Sequence, residues 1–449
     1  METMHLNNLS YEEKYNLATG IKTPAKILAI LAKDIDWRVR KAVAWNENTP
    51  VETLVMLAKD GDETRYAVAQ ANVPEEVLIQ LASDNYLKVR CAVASNSNTP
   101  PFILATLAKD ENIHVRSAVA ENKNTPADVL AMLAEDENSN VRGGVAWNKN
   151  TPVGTLVRLA DDKDYEVRSE VAGNKNTPVK VLATLAKDKH ECVRKGVAYN
   201  ENTPDELLSV LAQDEDYTVR CAVAENKNAP VELLTALAKD DEWCVREAVA
   251  KNENTSADVL AMLAKDEDRD VRIAVANNRN TPANILTMLA QDKDANVRSE
   301  VAANENTSVD VLVMLASDKI CWVRSDVARN KNTPIEILTV LAQDENRSVR
   351  EQVALNESTT ADVLALLAQD EPKFHIRTLV AENTKTSPEV LSTLAVDEDI
   401  DVRVAVAENP HTPYNTLVML TKDKNVLVSE KAEETLQERI IKKEQNIER

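Results

Sequence analysis

Apolar positions along this chain fall in two short clusters that keep returning. Between residues 176 and 204, Val181, Leu182, Leu185 and Ala186 lie on one face of a short helix, and Val193, Val197 and Ala198 on one face of a second. The same two clusters come back 26 residues later, and again beyond that. With Thr-Pro as the start, units begin at 23, 49, 73, 99, 125, 151, 177, 203, 229, 255, 281, 307, 333, 359, 386 and 412. Each reads approximately T-P-x-x-V-L-x-x-L-A-x-D-x-x-x-x-V-R-x-A-V-A-x-N-x-N, which predicts two helices per unit with polar turns between them. The second unit has lost two residues around Gly61 and Ala71, and the fourteenth has gained one around Pro372.

The polar letters punctuate these helices. Thr is expected as an N-cap with Pro at the first helical position, where its missing N–H is no loss. Acids three residues after Thr, such as Glu52, Asp128, Glu206, Asp258 and Glu336, would complete a capping box. A second start signal follows at Asp36, Asp164, Asp216, Asp268 and Asp294. The second helix is expected to end near Asn200 and its equivalents, a residue type that tolerates the left-handed conformation.

Helices of roughly ten residues are not stable alone. Each must stack on its counterpart in the next unit, so the pattern predicts an all-α, right-handed helical solenoid of sixteen two-helix repeats with no β-sheet. Residues 1–22 are expected to form an N-terminal capping half-repeat, in which Ser10 and Glu13 make a capping box and Lys14 stands where Arg belongs. Residues 23–428 are the solenoid. Residues 429–449 are a charged C-terminal capping helix, opening where Ser429 takes the Arg position.

The phrase L-A-x-D-x-x-x-x-V-R-x-x-V-A-x-N-x-N-T-P resembles the leucine-rich repeat variant family, and an Asp and an Arg six apart also resemble HEAT repeats. The resemblance runs from residue 23 to about 428. It implies two-layer helical units in a right-handed superhelix, allows one layer of 3₁₀ rather than α turns, and points to macromolecular interaction. Family members can carry an N-terminal cysteine cluster holding an iron–sulfur centre; here the first 90 residues contain no Cys, so that cofactor is not carried over.

Composition narrows the function. A net charge of −21 and a pI near 4.8 work against nucleic acid, whose phosphates call for Lys and Arg. No run approaches the roughly 18 apolar residues that cross a membrane. Five Cys without paired short spacings fit reduced thiols in a cytoplasmic protein. The chain is expected to be a monomer that binds a protein or peptide and needs no cofactor.

Of the candidate chemistry, the acid–base pair is the most frequent. Asp188 and Arg194, Asp214 and Arg220, Asp240 and Arg246 represent a motif found in fifteen of the sixteen units. An active site is normally built once, so these are read as a structural ladder in which Arg bridges carboxylates and helix-end carbonyls between layers. The Asn columns at Asn174, Asn200 and Asn226 are read as turn-satisfying ladders. His190, Cys192, Cys221 and Cys244 raise a metal hypothesis. Layers about 9 Å apart cannot bring ligands to the 2.0–2.3 Å or so that zinc needs, so no metal site is assigned. No nucleotide-binding, zinc-protease or nucleophile-elbow motif occurs, and no catalytic residue is named. An enzyme or a metal or cofactor carrier on the Cys-bearing central repeats is kept as the alternative.

One face remains. With Val39, Ala42 and Val43 inward, Arg38, Lys41 and Trp45 lie on the opposite side of the second helix. These positions recur in fifteen units and hold the aromatics Trp45, Tyr66, Trp147, Tyr199 and Trp322, four of the five Cys, and ten acids against six bases. By analogy with HEAT arrays this strip would line the concave side and bind the partner. Trp45, Trp147, Tyr199 and Trp322 are the expected anchors, with Cys192 and Lys195 beside them and Glu166 supplying charge.

Overall fold

The computed structural model describes residue 6, residues 9–369 and residues 374–447. The inserted residue near Pro372 lies outside them. The chain forms two compact units, 1–229 and 230–449. In each, short α-helices alternate: a first helix, most often of seven residues, and a second of nine, such as Val179–Leu185 followed by Glu191–Tyr199. Both layers are α-helical, so the 3₁₀ layer that the resemblance allowed is not seen, and no strand occurs among the described residues. This is an all-α helical repeat solenoid.

The predicted apolar faces form the core. Leu182, Val193, Val197 and Ala198 are completely buried, and Leu185 nearly so. Successive second helices pack on one another along their length, while successive first helices approach one another less closely. The second-helix row is therefore the tight side of each unit. Small residues permit it: a Cβ added at Gly196 would meet Ala172 Cβ and the Ser169 carbonyl at 3.0 Å.

The capping box at Thr-Pro is not formed. Pro178 is itself the N-cap, extended at φ −61° and ψ 145°, so the helix begins one residue later than expected and Thr177 cannot reach its first turn. Instead Thr177 is buried, and its hydroxyl donates backward to the Val171 carbonyl at 2.5 Å, closing the end of the preceding helix. Acids such as Glu52 and Asp128 lie in the first turn, where the exposed N–H groups favour negative charge. Where Ser replaces Pro, the side chain caps at Ser256 and Ser387 but not at Ser308.

The second-helix caps are as the sequence predicts: Asp36, Asp164, Asp216, Asp268 and Asp294 each accept from the backbone N–H two residues on. Asn200 is extended rather than left-handed, at φ −69° and ψ 121°. Its side chain explains why. Nδ2 donates to the Ala172 and Asn174 carbonyls of the preceding repeat at 2.7 and 3.0 Å, and Oδ1 accepts from the Asn202 N–H. An αL turn would aim those donors elsewhere. Asn174 and its neighbours do the same, so helix-end carbonyls are satisfied by the following repeat.

The terminal elements vary these themes. Helix Tyr11–Thr19 is opened by the Ser10–Glu13 capping box, and Lys14 reaches Asp34 at 2.9 Å in the arginine's place. In the long helix Val426–Ile447, Thr435 donates to the Ala407 carbonyl, and Arg439 to the Asn409, Pro410 and Thr412 carbonyls. Together they do for the last repeat what Asn does for the others.

Candidate functional site

The repeated Asp and Arg make a ladder whose rungs cross from one repeat to the next. Arg194, on the fourth position of helix Glu191–Tyr199, sends Nη1 to the carbonyl of Asp188 in its own repeat at 2.9 Å. Its Nε and Nη2 grip the two oxygens of Asp214 in the following repeat at 2.6 and 2.8 Å. Asp188 receives the matching fork from Arg168 and also accepts from the His190 N–H. Burial alone would push the Asp188 carboxyl up, but the Arg168 fork, the His190 N–H and the Arg168 charge outweigh it and leave the group below the ordinary carboxylate range. In the first unit Arg220 Nη1 bonds the Asp214 carbonyl at 2.8 Å. In the second, the Asp240 carbonyl accepts from Arg246, whose fork closes on Asp266. Both side chains of a rung are largely buried, and the two-point fork commits them to each other.

The outer strip behaves differently. Trp45, Trp147, Tyr199 and Trp322 are 51%, 56%, 43% and 50% exposed, and Glu166 and Cys192 are also exposed. Trp322 belongs to the second unit and the others to the first. The structure gives the three aromatics of the first unit unequal company. Lys41 stands 4.7 Å above the Trp45 ring and pairs with Glu63 at 2.6 Å, while the Trp45 indole donates to Gln70. That lysine holds the Glu63 carboxyl below its usual range. Lys195 stands 5.5 Å over Tyr199, whose hydroxyl donates to Glu225 at 2.5 Å. Burial, then that carboxylate, pushes the Tyr199 phenol well up.

Trp147 instead forms one wall of an open hollow of about 540 Å³, together with Glu121, Gly143, Gly144, Glu166 and Glu170. Of the expected anchors, Trp147 and Glu166 share this site; Cys192, Lys195 and Tyr199 lie on the next repeat. Sequence reasoning missed Glu121, Glu170 and the Gly143–Gly144 pair. The signal present in the sequence was the acids flanking the tryptophan on both sides; of the two glycines, Gly143 faces outward and Gly144 is buried.

The donor atoms of His190, Glu191 and Cys192 come within 4.8 Å of one another. Layer spacing does not keep these three apart, because they lie within a single turn. His190 is already employed: Nδ1 accepts from the Cys192 N–H as the helix cap, and the ring stacks on Tyr165 at 3.7 Å. A cation there would also face the positive end of the helix dipole. No helix among the described residues is long and apolar enough to cross a membrane.

The leucine-rich repeat variant family model matches residues 113–138 and 217–242. A solved structure described as a leucine-rich repeat variant with a novel repetitive protein structural motif is similar at 30% identity, over 49% of this chain and 87% of that one, with a TM-score of 0.39. Importin beta in an ammonium sulfate condition is similar at 14% identity and a TM-score of 0.25. A structure in which Kap95p binding induces the switch loops of RanGDP to adopt the GTP-bound conformation is similar at 11% and 0.34. Each of the latter two likenesses covers 97% of this chain, which spans 60% and 63% of those chains respectively. No curated protein sequence matches. With 30% identity across most of the first relative and the family pattern at two separate places, the chain belongs to the leucine-rich repeat variant family.

Proposed function

We propose that this protein is a non-enzymatic interaction scaffold that binds a protein or peptide along the second-helix strip, on the concave side of the solenoid. One observation carries the reading: the strip exposes large aromatics, Trp147 foremost, that the ladders and the core do not use. Exposed aromatics on a rigid surface are favoured binding anchors. The helices at Tyr11–Thr19 and Val426–Ile447 serve as caps in this reading, and the scaffold works as a cytoplasmic monomer.

The test is the double variant Trp147→Ala plus Tyr199→Ala. Proteins captured from the native host by the parent chain should be lost by the variant, while its melting temperature stays nearly unchanged. A folded variant that captures the same proteins equally well would remove the strip from the function. A second reading, a metal carrier at His190, Glu191 and Cys192, is favoured only by the proximity of those donors. One zinc per chain retained through gel filtration, and lost in Cys192→Ser, would support it.

A further inference from the structure

The repeats allow one site to be read against another. In the first repeat, Trp45 ends helix Trp37–Trp45, Lys41 stands one turn before it, and Glu63 is the second residue of the next second helix, Asp62–Gln70. These three form a filled cradle in which the ammonium lies over the indole and against the carboxylate. In the fifth repeat, Trp147 ends helix Ser139–Trp147, and Glu166 is the second residue of the next second helix, Tyr165–Gly173. The position of Lys41 is taken by Gly143. A Cβ added there would meet nothing within 4 Å.

The fifth-repeat cradle thus keeps the aromatic wall and the carboxylate and lacks the cation. Its lining adds Glu121 and Glu170 and holds no lysine or arginine. Among the described residues Trp147 stacks on no cation and makes no side-chain hydrogen bond, in contrast to Trp45 and Tyr199. An indole face flanked by carboxylates attracts an ammonium group, more strongly as water is displaced. We infer that this hollow receives a lysine side chain of the partner protein, which takes the place that Lys41 fills in the first repeat. The inference rests on the strip being the binding surface and adds the chemistry of what it reads. Each ammonium so placed is shared between the Trp147 face and the Glu166 carboxylate, and the glycine leaves the approach open.

Two variants and one small probe test this. Gly143→Lys would supply the missing cation from within, whereas Gly154→Lys adds the same charge at an exposed glycine on a first helix, also with open space beyond its Cβ. The probe is lysine with its α-amino and carboxyl groups blocked, titrated into protein carrying ¹⁹F-tryptophan, with Nε-acetylated lysine as the uncharged control. The Trp147 signal should move saturably with the lysine probe alone. That response should persist in Gly154→Lys and vanish in Gly143→Lys, whose own signal should start near the bound position. A Trp147 signal that does not respond, or moves no more than those of the other tryptophans, overturns the inference. With the natural partner, Gly143→Lys should weaken binding about tenfold and Gly154→Lys leave it unchanged. If the partner ignores Gly143→Lys yet is lost in the Trp147/Tyr199 double variant, the lysine inference fails and the binding strip stands. If the double variant also binds normally, the strip reading falls, and the lysine titration alone decides the cradle.

Discussion

On helix Ser139–Trp147, Arg142 and Trp147 are little more than a turn apart and answer to different demands. Arg142 is buried, with its fork on Asp162 at 2.6 and 2.8 Å and its last nitrogen on the carbonyls of Asp136 and Glu137. The same arrangement recurs through both units, for example at Arg298–Asp318 and Arg403–Asp423. Trp147 touches no such network, and the residue at its position changes from repeat to repeat: Trp, Gly, Tyr, Glu, Lys. Regularity therefore marks the groups that hold repeats together, because each must fit a neighbour built to the same rule. Irregularity marks the face on which no one rule is imposed on every repeat. Changes on the two sides of this helix should have effects of very different size.

The largest effect should come from acid, which attacks several rungs at once. Four ladder aspartates, Asp110, Asp136, Asp162 and Asp188, have carboxyls held below the ordinary value: burial opposes the charge, but the arginine fork and the backbone N–H prevail. A carboxyl depressed in the folded state contributes stability that is fully present above its unfolded pKa, about 3.9. That stability is lost as pH falls through the folded value. Helicity followed by circular dichroism should hold down to about pH 4 and then collapse steeply. A gradual loss beginning well above pH 5 would show that other groups set the acid limit.

A single broken rung comes next. Arg194→Ala leaves Asp214 buried without its fork and should cost about 3–5 kcal/mol. Coupling in a repeat array is between neighbours, so hydrogen exchange should rise mainly between residues 177 and 228. Arg38→Ala, on the strip of its own helix, should leave exchange unchanged. Equal effects from the two would erase the distinction between seam and strip.

How far the sequence could be read follows the same division. The core and the rungs were legible because periodicity reports a demand repeated in fifteen or sixteen units. Misreadings came where one letter has two physical uses. Thr before Pro has the form of a helix start, yet its hydroxyl serves the helix before it, since extended Pro178 moves the start one residue on. Asn at a helix end suggests a left-handed turn, yet Asn200 spends its amide on carbonyls 26 and 28 residues back, a contact visible only once repeats are stacked. The hollow at Trp147 was half legible. Trp147 and Glu166 were found by their outward positions, whereas Gly143 gives no signal until Lys41 is seen filling the equivalent place.

The threonine reading provides a test of intermediate size. If Thr177 capped the helix that follows, Asp would replace it well, since Asp is as good an N-cap. As a buried donor to the Val171 carbonyl it has no such substitute, because a carboxylate accepts only. Thr177→Asp should destabilise by about 1–3 kcal/mol in chemical denaturation, and Thr177→Ser by clearly less. Neutral behaviour of the aspartate would restore the capping box.

The smallest effects should lie on the strip, and their signs carry the information. Lys41→Ala removes a cation over Trp45 and a partly exposed pair with Glu63, interactions together worth about 1 kcal/mol. Gly143→Lys runs the comparison in reverse. It replaces a helix-interior glycine, a gain of about 0.5–1 kcal/mol from backbone freedom alone, and it places an ammonium where Trp147 and Glu166 await one. Gly154→Lys shares the backbone gain at a first helix but has no cradle to enter. The expected order of melting temperatures is Gly143→Lys above Gly154→Lys, both above the parent, with Lys41→Ala slightly below it. The step between the two glycine variants should shrink in high salt, because it alone depends on exposed charge. If the two variants melt together at every ionic strength, the fifth-repeat hollow lacks the electrostatics of the first, and the likeness between them is one of position only.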